Sequence, residues 1–184
     1  PGGKTTHIAQ QVGENGHVLA LDLHPKKVAL IRTNAKRMGL NTQVEAKALD
    51  ARKIDLLAED NSFDRILVDA PCSGIGLIRR KPEIRYEKAL TDSEKLHKIQ
   101  LEILNAVAAK VKNNGIITYS TCTILKQENE NTMTDFLKLH PEFELIQTST
   151  KKQLKSSRTT PYLNIYPDDF ESDGFFIACL QKRA

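Results

Sequence analysis

Short apolar runs alternate with longer amphipathic segments along most of the chain. His17-Val-Leu-Ala-Leu-Asp22 is apolar throughout its middle, the pattern of a strand buried on both faces. Pro25 to Met38 then places Val28, Ile31 and Ala35 on one helical face, with Gly39 as its stop. Thr42 to Ala48 predicts a second strand, Ala51 to Ala58 a short helix, and Asp64-Arg-Ile-Leu-Val-Asp69 a third strand. From Asp92 to Val111 a long helix is expected, striped by Leu96, Ile99, Ile103 and Val107, and Gly115 closes that region and opens a fourth strand, Ile116-Ile-Thr-Tyr119. A polar-faced helix from Glu128 to Leu139, a strand from Phe143 to Ile146 and a last strand from Phe175 to Leu180 complete the succession. This β-α alternation, with near-continuous apolar strands, predicts an α/β domain built on a mostly parallel, doubly wound sheet covered on both faces.

The first residues fit that scheme in an unusual way. Pro1-Gly2-Gly3-Lys4, followed by a helix from about Thr5 to Val12 with Gly13 as its stop, reads as the turn after a first strand, yet no strand precedes it. In a doubly wound sheet that strand is central. Residues 1–184 are therefore expected to form one domain whose first strand is supplied from upstream.

Composition narrows the class of protein. Hydrophobic residues make up 40% and charged residues 27%, which fits a globular chain and excludes the disordered and collagenous classes. No stretch approaches the length of a membrane span, and the amino-terminal residues lack the apolar core of a secretory signal. Cys72, Cys122 and Cys179 are widely spaced, without the close pairing of zinc sites. They read as reduced thiols of a cytoplasmic protein that holds no metal. The formal net charge of +4 permits a nucleic-acid partner without requiring one.

Ligands of such sheets bind beyond the carboxyl ends of the strands. Those ends carry Asp22, Asp50, Asp69 with Pro71 and Cys72, and Thr121 with Cys122. The Gly2-Gly3 pair at a helix amino end allows close backbone approach to a ligand, although two glycines also suit an ordinary tight turn. Asp22 can accept hydrogen bonds from ribose hydroxyls or cap the helix opening at Pro25. Asp50 offers the same choice, between an adenine amino group and a cap for residues 51–58. Their joint occurrence at successive strand ends favours a nucleoside site. A rival reading takes Gly3-Lys4-Thr5 as the tail of a phosphate-binding loop and Asp69 as the magnesium-side acid of a nucleoside triphosphatase. It leaves Asp22, Cys72 and Cys122 unexplained and ranks second.

Asp69-Ala-Pro-Cys-Ser-Gly-Ile-Gly76 together with Tyr119-Ser-Thr-Cys122 is far more specific. With Pro1-Gly-Gly-Lys-Thr-Thr-His7, Leu21-Asp22, Leu49-Asp-Ala-Arg52, Arg79-Arg80 with Pro82, and Asp173-Gly-Phe-Phe176, these motifs resemble the RNA cytosine-C5 methyltransferases that use S-adenosylmethionine. Within that family the likeness is to the bacterial 16S ribosomal RNA enzymes of the Sun/Fmu type. The resemblance implies a Rossmann-like class I methyltransferase fold and transfer of a methyl group to C5 of a cytosine in 16S ribosomal RNA. C5 of cytosine is a weak nucleophile, and a thiolate adding at C6 makes it an enamine-like one. By resemblance Cys122 is that nucleophile, Cys72 assists breakdown of the adduct, Asp69 holds the N3 and N4 edge, and Lys4 is a nearby cation able to lower a thiol pKa.

Cofactor contacts implied in the same way are Pro1, Gly2, Gly3, Lys4, Thr5, Thr6, His7, Asp22, Asp50 and Asp69. Arg79, Arg80 and Lys81 are candidates for RNA phosphates, with Lys151, Lys152, Lys155 and Arg158 as a second basic stretch; both also read as solvated charged loops. Cys179 lies outside every motif and is assigned to packing. The family's first strand with its acidic residue and its amino-terminal RNA-binding domain do not occur in these residues. Lys81 stands where the family often has His, and Asp168 to Ser172 is an added stretch. The resemblance predicts a cytoplasmic monomer that acts on ribosomal RNA, with no membrane and no metal. A third reading is an RNA-binding piece without catalysis.

Overall fold

The computed structural model describes residues 1–84, 90–155 and 160–184 and divides into two units, Pro1–Leu57 and Ala58–Ala184. In the first unit, α1 (Gly3–Val12) leads into β1 (Val18–Asp22), α2 (Pro25–Arg37), β2 (Val44–Ala48) and a 3-10 turn at Ala51–Leu56. β1 and β2 pair in parallel from Val18 opposite Val44 to Asp22 opposite Ala48, and α2 is the crossover that parallel pairing requires. The predicted stripe Val28, Ile31 and Ala35 is buried with Ala9, Ala20 and Ala46. Gly39 takes φ 70°, the left-handed stop anticipated for α2.

The second unit contains β3 (Phe63–Asp69), α3 (Leu90–Ala108), β4 (Val111–Thr121), α4 (Glu130–Leu139), β5 (Phe143–Ile146), β6 (Leu163–Ile165) and β7 (Phe175–Lys182). Short 3-10 turns at Ile75–Leu77 and Lys126–Glu128 follow the ends of β3 and β4. The strands are ordered β3-β4-β7-β5, with β6 also on β7. β3 and β4 are parallel, whereas β7 runs antiparallel to β4, β5 and β6.

The α/β alternation holds, but the sheet is mixed rather than mostly parallel, and the strands pair as a two-stranded and a five-stranded sheet. The carboxyl-terminal strands follow one another with no helix among the described residues of 147–174, and without a helical crossover a returning strand pairs antiparallel.

Two boundaries differ from the periodicity. Val111 continues the i, i+4 spacing from Val107 and reads as helix, yet it opens β4. The polar segment after it is a bulge: Asn114 takes φ 62°, and the register shifts between Phe63 and Arg65. A Cβ on Gly115 would lie 2.8 Å from the Lys112 carbonyl oxygen and 3.0 Å from that of Asp64, so backbone as well as the Val111 side chain favours glycine there. α4 starts at Glu130 rather than Glu128, and its predicted polar face is in part interior, with Glu128, Asn129 and Thr132 all buried. β6, only three residues long, carries no period strong enough to read.

Phe136 of α4 is fully buried, stacked on His140 at 4.5 Å and edge-on to Phe143 at 5.3 Å. Phe136→Ala should therefore destabilise the protein by about 3–5 kcal/mol. Urea unfolding with an unchanged m-value checks this, and a loss below about 1 kcal/mol would contradict the packing described.

Candidate active site

Pairing of β3 with β4 sets the geometry. Asp69 stands opposite Ser120 in the parallel register, and the Ala70 amide donates to the Ser120 carbonyl at 2.9 Å, so both strands end at the same level. The chain leaves one strand through Pro71-Cys72 and the other through Thr121-Cys122. Cys72 Sγ and Cys122 Sγ meet at 3.3 Å, and both residues are half-buried. The Ser120 hydroxyl donates to Asp69 Oδ1 at 2.9 Å, fixing the exposed Asp69 carboxylate on the same edge.

The cysteine loops are held by buried polar contacts. Gly76 donates its amide to the Cys122 carbonyl at 3.0 Å, and Gly174 donates to the Gly76 carbonyl at 2.8 Å. A Cβ on Gly76 would lie 2.3 Å from the Gly174 carbonyl oxygen and 2.7 Å from that of Cys122. Around Cys122, the Thr121 hydroxyl donates to Asn129 Oδ1 at 2.6 Å, and Asn129 Nδ2 donates to the Thr123 carbonyl at 3.0 Å. Ser73 and Thr123 join the two loops directly through their hydroxyls at 2.9 Å. Glu128 is fully buried: its Oε2 accepts from the Ser73 amide at 2.7 Å, and its Oε1 accepts from the Ser93 hydroxyl at 3.0 Å.

The contact with Cys122, then burial, pushes the Cys72 thiol far above the ordinary thiol range. Cys72 is thus held protonated, and the pair can carry at most one negative charge near neutrality. Tyr119 is likewise pushed up by burial, and its hydroxyl donates to the Glu128 carbonyl at 2.7 Å. It belongs to the scaffold of the site.

The remaining candidates are distributed as follows. In the first unit Gly2 has φ 92°, and a Cβ there would meet Ile31 Cα at 3.3 Å, whereas nothing lies within 4 Å of one built on Gly3. α1 packs on β1 and reverses through a short loop, which puts its amino end at the carboxyl edge of β1. Asp22 ends β1, and Asp50 follows the end of the parallel β2 by two residues. Both make the local contacts that spacing allowed: Asp22 Oδ1 accepts from the His24 amide at 2.9 Å, and Asp50 accepts from the Arg52 amide at 3.0 Å and from its guanidinium. The Arg52 hydrogen bonds hold the Asp50 carboxyl below the usual carboxylate range.

Thr6 is buried and donates back to the Gly2 carbonyl at 3.0 Å, and the Pro1 carbonyl accepts from Asn34 at 2.9 Å. Thr5 is half-buried, and Lys4 and His7 are exposed on α1. Helix amides beside two strand-end carboxylates fit an adenosine with a neighbouring anionic or zwitterionic group. Lys4, placed with the thiols by resemblance, lies in the first unit, and the thiol pair lies in the second.

In the second unit, Arg79, Arg80 and Lys81 are exposed. Arg80 forks onto Asp173, with Nε 2.9 Å from Oδ1, tying the Pro-Cys loop to the turn before β7. Lys151, Lys152 and Lys155 are exposed, and Arg158 lies outside the described residues. A cavity of about 440 Å³ is lined by Gln147, Thr148, Lys152, Lys155, Tyr162 and Asn164 but by neither thiol. Cys179 is half-buried in β7 beside Thr118. Among the described residues no group of three or more His, Cys, Asp or Glu could hold a metal ion, and no helix is long and apolar enough to cross a membrane.

Comparison with known proteins adds independent findings. The family described as 16S rRNA methyltransferase RsmB/F matches residues 1–181. The chain is 46% identical, over its whole length and 41% of the relative's, to the probable ribosomal RNA small subunit methyltransferase B of Bacillus subtilis. It is 38% identical to ribosomal RNA small subunit methyltransferase B of Yersinia pseudotuberculosis, covering 40% of that protein, so it spans about two fifths of the length of these curated relatives. The crystal structure of NSun6 from Pyrococcus horikoshii superposes with a TM-score of 0.84 at 30% identity, over the whole of this chain and 46% of that one. These likenesses fix the fold as Rossmann-like, of the class I methyltransferase type.

Two outcomes follow from the site geometry. Gly76→Ala should cost about 3 kcal/mol, the upper end of overpacking, because backbone oxygens and not a flexible side chain fill the space; a thermal melt within error of wild type would contradict it. The native state also keeps a Cys72 proton that the unfolded chain releases above about pH 8.5. That contribution is fully present below this pH and is lost as pH rises beyond it, by up to about 1.4 kcal/mol per unit. Urea titrations between pH 7 and 10 should show a steeper decline for wild type than for Cys72→Ala, and equal slopes would contradict the assignment.

Proposed function

Because the chain belongs to the 16S rRNA methyltransferase RsmB/F family, we propose that it transfers a methyl group from S-adenosylmethionine to C5 of a cytosine in 16S ribosomal RNA through a covalent adduct at C6. The observation that carries this reading is the 3.3 Å contact between Cys72 and Cys122 at the matched ends of β3 and β4. One pyrimidine ring is small enough for both sulfurs to act on it.

S-adenosylmethionine, when bound, supplies an electrophilic methyl group. The amides opening α1, with Asp22 and Asp50, are the residues that would hold its adenosine. The Cys122 thiolate adds to C6: the S–C6 bond forms and the C5–C6 π pair moves to C5, which becomes nucleophilic. Asp69, oriented by Ser120, takes the N3 and N4 edge and stabilises the charge that develops in the ring.

After C5 is methylated its proton passes to solvent water, the C5–H pair re-forms the C5–C6 double bond, and the S–C6 pair returns to sulfur. Cys72, held protonated, hydrogen-bonds to the Cys122 thiolate as it departs and keeps its own proton, which leaves the pair as it was before the cycle. Lys4 is proposed as a supporting cation. Arg79 and Lys81 are proposed to meet RNA phosphates; Arg80, engaged by Asp173, orders that loop. The proposed RNA substrate places the protein in the cytoplasm. The triphosphatase reading loses its ground, since it has no use for either thiol and the family is one of methyltransferases.

Cys122→Ala should abolish both turnover and covalent RNA capture. Cys72→Ala should slow release and let an enzyme–RNA adduct accumulate on denaturing gels; absence of adduct in both variants would contradict the assigned roles. S-adenosylhomocysteine should raise the melting temperature where ATP with magnesium does not. The reverse pattern would restore the triphosphatase.

A further inference from the structure

Glu128 has no part in the reaction outlined above, yet it is one of the least accessible charged side chains of the second unit. Burying a carboxylate is costly unless donors surround it. Here the Ser73 amide and Gln100 Nε2 donate to Oε2, at 2.7 and 3.3 Å, and the Ser93 hydroxyl donates to Oε1. These contacts converge on one place. Ser73 directly follows Cys72, and Gln100 also donates to the carbonyl of Pro71 at 2.8 Å, so both neighbours of Cys72 are anchored to α3 through one polar group. Glu128 belongs to the turn after Cys122, with its own carbonyl held by Tyr119. A single side chain therefore spans from the Cys122 loop to the Cys72 loop.

We propose that Glu128 is a positioning residue, whose carboxylate sets the distance between the two cysteine loops and so keeps the sulfurs in contact. It deepens the methyltransferase reading and rests on it for its kinetic consequence alone. What matters is the reach of the side chain. Gln keeps an acceptor oxygen at the same distance for the Ser73 amide; Asp keeps the charge but falls a methylene short, and would draw the Cys72 loop away or lose it. A residue needed only for stability would show effects that follow melting temperature, whatever its reach.

The test compares Glu128→Gln with Glu128→Asp in two assays. Methyl transfer to ribosomal RNA should retain a wild-type kcat in Gln. In a folded Asp variant kcat should fall about 100-fold, the scale of an ångström's misplacement, with KM unchanged. Thiol alkylation by iodoacetamide as a function of pH needs neither RNA nor a methyl donor. In wild type and Gln, one thiol of the pair should resist reaction far above the ordinary thiol range. In Asp that thiol should react at lower pH, because its contact with the other sulfur has loosened.

Equal losses in Gln and Asp, or a folded Asp variant with wild-type kcat and alkylation profile, would overturn the proposal. If Asp does not fold, Ser93→Ala, which removes the donor on Oε1 alone, should shift the alkylation profile in the same direction, and an unchanged profile would count against the proposal. A wild-type protein that neither methylates nor captures RNA, while its alkylation profile still responds to Glu128→Asp, would refute the enzyme reading and leave the positioning role standing.

Discussion

The register of β3 against β4 is the constraint on which the site depends. Parallel neighbours run about 4.8 Å apart, and residues that face each other at the carboxyl edge deliver the loops beyond them to one spot. With Asp69 opposite Ser120, three further residues reach Cys72 and two reach Cys122. A slip of one position would move one cysteine by about 3.3 Å and turn its side chain to the opposite face of the sheet. The bulge at Asn114 and Gly115 lies at the other end of the pair, so the irregularity is absorbed before the register runs unbroken from Arg65 to Asp69.

Beyond the strand ends, order is kept by polar groups. Thr121 at the end of β4 and Ser73, Thr123, Glu128 and Asn129 in the loops and turns beyond the strands are buried, and each has a hydrogen-bond partner. A fully satisfied buried network has few alternative arrangements, whereas an apolar cluster of the same size can repack. Gly76 and Gly174 let the backbones approach to contact distance within it. The consequence for chemistry is direct: two sulfurs held together in a partly dry setting cannot both ionise, so the pair carries at most one thiolate near neutrality.

Much of this was legible in the residues. The α2 stripe, the apolar strands and the Gly39 stop follow from local physics and stand where expected. The two thiols were visible as Pro-Cys and Thr-Cys at strand ends, although their meeting depends on a register that no single strand encodes. Asp50 caps the 3-10 turn it opens, whereas Asp22 accepts from His24 and leaves α2 without a side-chain cap; neither contact removes the carboxylate from the ligand edge.

Glu128 and Asn129 read as the polar face of a helix, because charge at the start of an amphipathic segment is ordinarily exposed. Their burial is made tolerable by tertiary partners: Ser73, Ser93 and Gln100 donate to Glu128, while Asn129 accepts from Thr121 and donates to the Thr123 carbonyl. The antiparallel direction of β7 against β4, β5 and β6 was hidden for a similar reason: strand direction is set by the connections, and 147–174 carries no period. One hint was available, a Glu-Asn pair six residues beyond Cys122 and inside the region that carries the motif.

The central claim is that Cys122 bonds to C6 of the pyrimidine while Cys72 remains a thiol beside it. The most direct measurement uses ribosomal RNA carrying 5-fluorocytidine, whose fluorine cannot leave as a proton and so arrests the adduct, followed by protease digestion and mass spectrometry of the cross-linked peptide. The account predicts nucleotide mass on the peptide containing Cys122 and an unmodified Cys72 that alkylates after denaturation. Nucleotide mass on the Cys72 peptide, or none on either, would contradict it.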